Sequence, residues 1–193
     1  MSHLTYLRRI VSPYILRKNS QLTFWHERPK VNCNSFGKDL GEYYMTFFDK
    51  AGYSGPFDQN GIPLLDYHGK IGKQYNPIAI AQYGLGNYNL HKRNRGNISY
   101  EKFIKSANWL LENLETNEYG IKVWNHKFNW EYFQILQAPW YSALAQGQGI
   151  SLLIRAYIEL KEDKYKEAAD KAFKSLVTKI EDGGVLFIDE GKN

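Results

Sequence analysis

The sequence predicts a mainly α chain with a β-rich N-terminal part, its larger portion a partial α/α toroid of stacked helical hairpins with inserted β-hairpins. Three observations carry that prediction. From Trp140 to Leu160 the residues are apolar on almost every side, as in a helix buried all round. Two stripes at helical spacing mark amphipathic outer helices: Phe103, Ala107, Leu110, Leu111 and Leu114, then Tyr165, Ala168, Ala169, Ala172, Phe173 and Leu176. A repeat joins them. Ala81-Gln82 and Ala145-Gln146 stand 64 positions apart, as do Gly120 and Gly184, and each unit reads buried helix, amphipathic helix, glycine, strand. Stacked helical hairpins with a buried inner layer and an amphipathic outer one describe such a toroid. Residues 1–75 are expected as an N-terminal helix and β-rich region. Residues 76–193 are expected as an incomplete toroid domain, cut off inside its second hairpin.

Taken in order, residues 4–17 space Leu4, Leu7, Ile10, Val11, Tyr14 and Ile15 for an amphipathic helix that docks on its own domain, with Pro13 as a kink or stop. Residues 20–75 are β-rich and irregular: Leu22 to Trp25 and Tyr43 to Phe48 have strand composition, and Asp58-Gln59-Asn60-Gly61 is a turn. Asn76-Pro77 opens a helix as cap and first-turn proline, running to about Asn89. The cations of His91-Lys92-Arg93-Asn94-Arg95 follow and complement its dipole, or serve carboxylate and sulfate groups. Ser99 caps the next helix. Alternation then places Ile121 and Val123 on one strand and Phe128, Trp130 and Tyr132 on another, with Asn125-His126-Lys127 as the turn of a β-hairpin. Pro139 suits the first turn of the 140–160 helix. Gly184 to Ile188 begins a strand whose unpaired edge invites association, so a homodimer is expected.

Composition narrows the function. With 25 Lys+Arg against 20 Asp+Glu the net charge is +5, which fits an acidic partner. The cations are scattered rather than striped, which argues against nucleic acid. Aromatic residues reach 16%, and tyrosines and tryptophans with polar tips suit carbohydrate clefts as well as cores. Cys33 is the only cysteine, so neither an internal disulfide nor a cysteine metal framework exists. His26-Glu27 lacks the second histidine of a zinc-protease motif, Asp58 to Gly61 lacks the remaining calcium ligands, and Lys70-Ile71-Gly72-Lys73 lacks the phosphate-loop spacing. The expectation is no metal and no cofactor. Mean hydropathy is −0.54, and neither a long apolar run nor a signal-peptide pattern is present, so a soluble, cytoplasmic chain without membrane insertion is expected.

The first half of the 140–160 helix is unusual. Ser142 and Gln146 share one face, and Gly147 and Gly149 fall within one turn, although a glycine in a helix interior costs about 1 kcal/mol relative to alanine. Close helix packing is one reason to keep them; a helix end opening on a substrate cleft is the other. Pro139-Trp140-Tyr141-Ser142-Ala143-Leu144-Ala145-Gln146-Gly147-Gln148-Gly149-Ile150-Ser151 closely resembles a signature of the C-terminal domain of D-glucuronyl C5-epimerases. Tyr75-Asn76-Pro77-Ile78-Ala79-Ile80-Ala81-Gln82-Tyr83-Gly84-Leu85 resembles a second, and the resemblance runs from about Asp39 to the C-terminus.

The resemblance implies an α/α toroid preceded by β structure, and an enzyme converting glucuronate to iduronate within heparosan- or heparan-type chains. Inverting C5 removes a weakly acidic proton beside a carboxylate and returns one on the opposite face, so two proton-transfer groups and a stabilising cation or donors are needed. A tyrosine doing this work needs a cationic neighbour, its ordinary pKa being near 10. The resemblance assigns proton transfer to a Glu-Glu-Tyr-Pro stretch and later tyrosines, expected beyond residue 193, so no catalytic residue is carried over and the chain alone is expected to be inactive. Tyr75, Gln82, Tyr83, Trp140, Tyr141, Gln146 and Gln148 match signature positions and are expected to line the polysaccharide cleft. A non-catalytic carbohydrate-binding module and a uronate polysaccharide lyase are the alternatives.

Overall fold

Among the residues described by the computed structural model, 25, 30–35, 37, 40–67, 69–94, 97–131 and 135–189, four long helices form two hairpins. A single turn, α1 (Phe48–Ala51), precedes α2 (Pro77–Asn94) and α3 (Asn97–Glu112); α4 (Ala143–Leu160) and α5 (Asp163–Val177) follow. The chain is mainly helical with small sheets. The expected 4–17 helix, residues 22–24, His26-Glu27 and Arg95 lie outside the described residues.

α2 starts as its sequence dictates: the Asn76 Oδ1 accepts the N–H groups of Ile78 at 2.9 Å and Ala79 at 3.3 Å, filling donors that the first turn leaves open. It runs past Asn89 to Asn94, so His91, Lys92 and Arg93 form its last turn rather than following it. Lys92 there pairs with Glu159 at 3.0 Å and Arg93 with Glu42 at 2.9 Å. α3 begins at Asn97, two residues before the expected cap Ser99. Its buried stripe is Phe103, Ser106, Ala107 and Leu110.

The inner helices α2 and α4 run parallel, because their contacts advance together along both. Leu152 packs where Gly84 has no side chain, a Cβ there lying 2.6 Å from it, and further along the Tyr88 hydroxyl donates to Glu159 at 3.1 Å. Leu85, Tyr88, Phe103, Leu110, Trp124, Leu152 and Leu153 make the main core between the two hairpins. α5 closes it with Tyr165, Ala168, Ala169 and Ala172. Phe173, expected inward, is 52% exposed: it falls beside the stripe that continues to Ser175.

Three expectations of β structure are corrected. No hairpin turns at Asn125 to Lys127. Instead β3 (Glu115–Thr116) pairs with β4 (Lys122–Val123), and β5 (Trp130–Glu131) pairs with β6 (Ile135–Leu136). The cause sits between them: the Trp124 backbone is taken by the Gln146 side chain, so the strand cannot continue past Val123. Tyr43 to Phe48 is not a strand either. Met45 makes one bridge to Val31, and Asn89 captures the backbone by accepting from Tyr43 N–H at 2.7 Å and donating to the carbonyls of Met45 and Thr46. Gly184 to Ile188 folds back on the end of α5, with the N–H groups of Gly184, Val185 and Leu186 donating to Lys179, Ser175 and Thr178 carbonyls, and only Leu186 making a bridge, to Lys179. β1 (Leu65–Asp66) and β2 (Lys73–Gln74) form a third two-residue ladder. The Asp58 to Gly61 turn forms as expected: Asp58 Oδ1 accepts from Asn60 and Ile62 N–H groups.

Candidate functional site

α4 begins at Ala143, not at Pro139. Ser142 is its cap, in extended conformation, and its Oγ accepts the Ala145 N–H at 3.3 Å. The preceding residues are held elsewhere. Trp140 exchanges two backbone hydrogen bonds with His126, at 2.7 and 3.2 Å, and this antiparallel bridge holds it out of the helix.

Because α2 and α4 are parallel, their N-terminal ends share one end of the bundle, and an aromatic wall stands there. Asn76, the α2 cap, donates to the Tyr67 hydroxyl at 2.7 Å. Tyr67 lies against Phe128, with centroids 4.7 Å apart, and against Trp130 at 5.3 Å. Phe128 meets Trp140 edge-on at 5.8 Å, and Trp140 stacks flat on His126 at 3.8 Å with 2° between the ring planes. Trp130 and Trp140 are half-buried, whereas Tyr67, Phe128 and His126 are buried behind them.

His126 is held by its surroundings as a neutral base. Its Nδ1 lies 3.3 Å from the Trp140 carbonyl, which has no proton to give, so Nδ1 carries the hydrogen and Nε2 the lone pair. Nε2 is buried without a hydrogen-bond partner among the described residues. Desolvation lowers the imidazole pKa to about 4, opposed by the hydrogen bond to Trp140.

The seven expected cleft residues separate into groups. Tyr75, 39% exposed, stands just before α2; its hydroxyl donates to Asp58 at 2.8 Å and its ring packs on Trp109 at 5.3 Å. Desolvation, followed by the Asp58 hydrogen bond and charge, pushes its phenol up to about 12. Trp140 and Tyr141 are half-buried at the start of α4. The Tyr141 hydroxyl donates to the Gly183 carbonyl at 2.9 Å and accepts from Asn117 at 3.1 Å. Gln82 is half-buried on α2.

The other three are enclosed. Tyr83 is buried with its ring against Phe57 at 5.8 Å, and burial pushes its phenol up to about 12. Gln146 is fully buried: its Oε1 accepts the Trp124 N–H at 3.1 Å and its Nε2 donates to the Trp124 carbonyl at 3.2 Å. Gln148 faces a different cluster, beside Tyr43, and its Oε1 is buried without a partner among the described residues. Beside it Arg155 is buried between the rings of Tyr43 and Tyr88, at 5.1 and 5.7 Å, and donates to the carbonyls of Gly41, Glu42 and Ser151.

Comparison with known proteins places this geometry. The family described as D-glucuronyl C5-epimerase C-terminus matches residues 115–192. A D-glucuronyl C5-epimerase of Caenorhabditis elegans is 37% identical over 83 residues, which are 43% of this chain and 13% of that protein. The chain therefore matches only a small part of that relative's length. The epimerase-like region takes in β3 to β6, the aromatic wall from His126 to Trp140, α4 and α5.

Sequence reasoning missed His126, placing it in a turn, and Trp130 as part of a site. The signal was present: His126, Phe128 and Trp130 alternate, so the period-two face begins at the histidine. An open groove of about 430 Å³ lies between Gly120, Lys122 and the α5 residues Glu167, Asp170, Lys171 and Lys174; it includes none of the seven. Among the described residues no group of three or more His, Cys, Asp or Glu could hold a metal ion, and no helix is long and apolar enough to cross a membrane.

Proposed function

We propose that this chain is a glucuronyl C5-epimerase homologue that engages heparosan- or heparan-type acidic polysaccharide, with 76–193 forming part of an α/α toroid and 1–75 a preceding unit. The observation that supports this reading is the epimerase-family match over the stretch that builds the aromatic wall and caps α4. Tyr75, Trp140 and Tyr141 offer half-open aromatic surface at the shared end of α2 and α4, and Gln82 lies on α2; these are the proposed substrate contacts. Tyr83, Gln146 and Gln148 act behind them, through packing and backbone support.

The reaction of the family reading is removal of the C5 proton of glucuronate, giving an enolate of the adjacent carboxylate, and return of a proton from the opposite face to give iduronate. The phenols of Tyr43, Tyr53, Tyr75, Tyr83 and Tyr88 suit hydrogen-bond donation rather than proton abstraction. Burial pushes Tyr53, Tyr75 and Tyr83 up to about 12, and Tyr43 and Tyr88 higher still. Part of the basic surface is neutralised internally, Lys92 and Arg93 being paired with carboxylates.

The test is titration of the purified chain with an N-sulfated heparosan octasaccharide, followed by incubation in deuterated water. Binding without deuterium at C5 is the expected result for these 193 residues. Absence of binding overturns the reading. Deuterium at C5 above a boiled control would show that the chain holds its own base, and an unsaturated uronate product would assign it to the lyases instead.

A further inference from the structure

We infer that His126 is a positioning residue for a sugar-stacking surface made by Trp140, and that the ligand of this surface is a pyranose ring. The inference rests on the polysaccharide reading above and adds to it the contact that takes the ring and the residue that holds that contact in place.

A stacking surface for a sugar must be flat, apolar and already fixed, because an indole that has to be ordered on binding gives up much of the contact free energy. Trp140 meets all three conditions. Its backbone is clamped by the two-bond bridge to His126, and its Nε1 donates to the Phe128 carbonyl at 2.8 Å, which fixes the turn of the indole about its own axis. The imidazole lies parallel against the ring at 3.8 Å, and Phe128 meets it edge-on. The rest of the Trp140 indole is half-buried.

The histidine is an unexpected residue for a place that asks only for a buried flat ring. It leaves Nε2 without a partner among the described residues, which a phenylalanine would not. Its distinguishing contribution is the Nδ1–H pointed at the Trp140 carbonyl, which ties the ring to the backbone it stacks over and stops it sliding along the indole. Being neutral, it also adds no charge behind the stacking face. The same stretch that bridges His126 then caps α4 at Ser142, so a sugar seated on Trp140 lies at the mouth of the two parallel helices.

The experiment uses the full chain and the N-sulfated heparosan octasaccharide, reading affinity by titration and ring-current shifts of the sugar C–H protons by NMR. Wild type is expected to shift those protons upfield. Trp140→Ala should abolish the shift and weaken binding about tenfold or more, on the scale of a lost aromatic contact. His126→Ala should weaken binding severalfold and shrink the shift even at saturating sugar, while His126→Phe, which restores a flat ring but not the Nδ1–H tie, should recover only part of both. A purely structural histidine would lower the melting temperature and leave the shift of the folded, saturated protein unchanged; that result overturns the inference. So does unchanged affinity of Trp140→Ala, which would leave the polysaccharide reading intact with its contact elsewhere. If wild type binds no octasaccharide, both fall together.

Discussion

Trp124 and Trp140 invite comparison. Each indole N–H donates to a backbone carbonyl, Leu110 at 2.7 Å and Phe128 at 2.8 Å, and each backbone is gripped from across the chain. Trp124 is fully buried: Gln146 takes its N–H and C=O, and its ring fills the space over Gly149, where a Cβ would come within 2.5 Å of it. Trp140 is gripped by a histidine and left half-open. One conspicuous run of sequence, Pro139 to Ser151, thus contains two structures with separate duties. Its first residues make a surface, and Gln146 and Gly149 make a lock that holds β4 to α4.

That division can be broken most severely at Gln146. Gln146→Ala leaves a buried donor and a buried acceptor on Trp124 unpaired, and at about 1–3 kcal/mol for each it should lower unfolding free energy by roughly 2–6 kcal/mol in denaturant titration. The folded fraction should bind octasaccharide as wild type does; lost affinity without lost stability would place Gln146 on the surface side of the comparison.

Acid tests the other side. The folded His126 pKa, about 4, lies below the ordinary value of 6.5, so the unfolded chain binds the proton more readily. Its stabilising contribution is whole above about pH 6.5 and is lost as pH falls towards 4, an order-of-magnitude effect of about 3 kcal/mol. Unfolding midpoints of wild type should fall across that window more steeply than those of His126→Phe. Parallel pH profiles would show that the imidazole is not buried neutral.

The two glycines of the run sharpen the contrast at smaller scale. Gly149→Ala drives a methyl into the Trp124 ring and should cost about 1–3 kcal/mol. Gly147→Ala meets no atom within 4 Å and gains helix propensity, so it should stabilise by up to about 1 kcal/mol by thermal denaturation. Equal effects at both positions would mean that α4 is not rotated as described.

The helices were legible because their signals are local. Asn76-Pro77 announces a cap, and the stripes of Phe103 to Leu110 and Tyr165 to Ala172 survive without knowledge of their partners. The β expectations failed where side chains from distant positions compete for backbone groups. Asn89 takes the backbone of 43–46, and Gln146 that of Trp124; neither capture is visible in alternation or composition. Pro139 misled for the same reason: the bridge to His126 holds the proline outside the helix it was expected to open. In the candidate site the signature residues were readable, but which of them face outward depends on the rotation of α4 and on a histidine from a preceding loop.

Arg155 has a consequence for the order in which the molecule is assembled. Among the fastenings of the 41–46 segment are Asn89 on α2 and the Arg155 guanidinium, which reaches the carbonyls of Gly41 and Glu42 from α4. A chain emerging from the ribosome presents Asn89 long before Arg155, and N-terminal parts fold first during synthesis. The first fastening can therefore form while the second is still unmade, leaving Tyr43 and Tyr88 without the cation that later sits between their rings. Only when α4 is complete does the guanidinium close over the segment, so this contact records that the two hairpins have met.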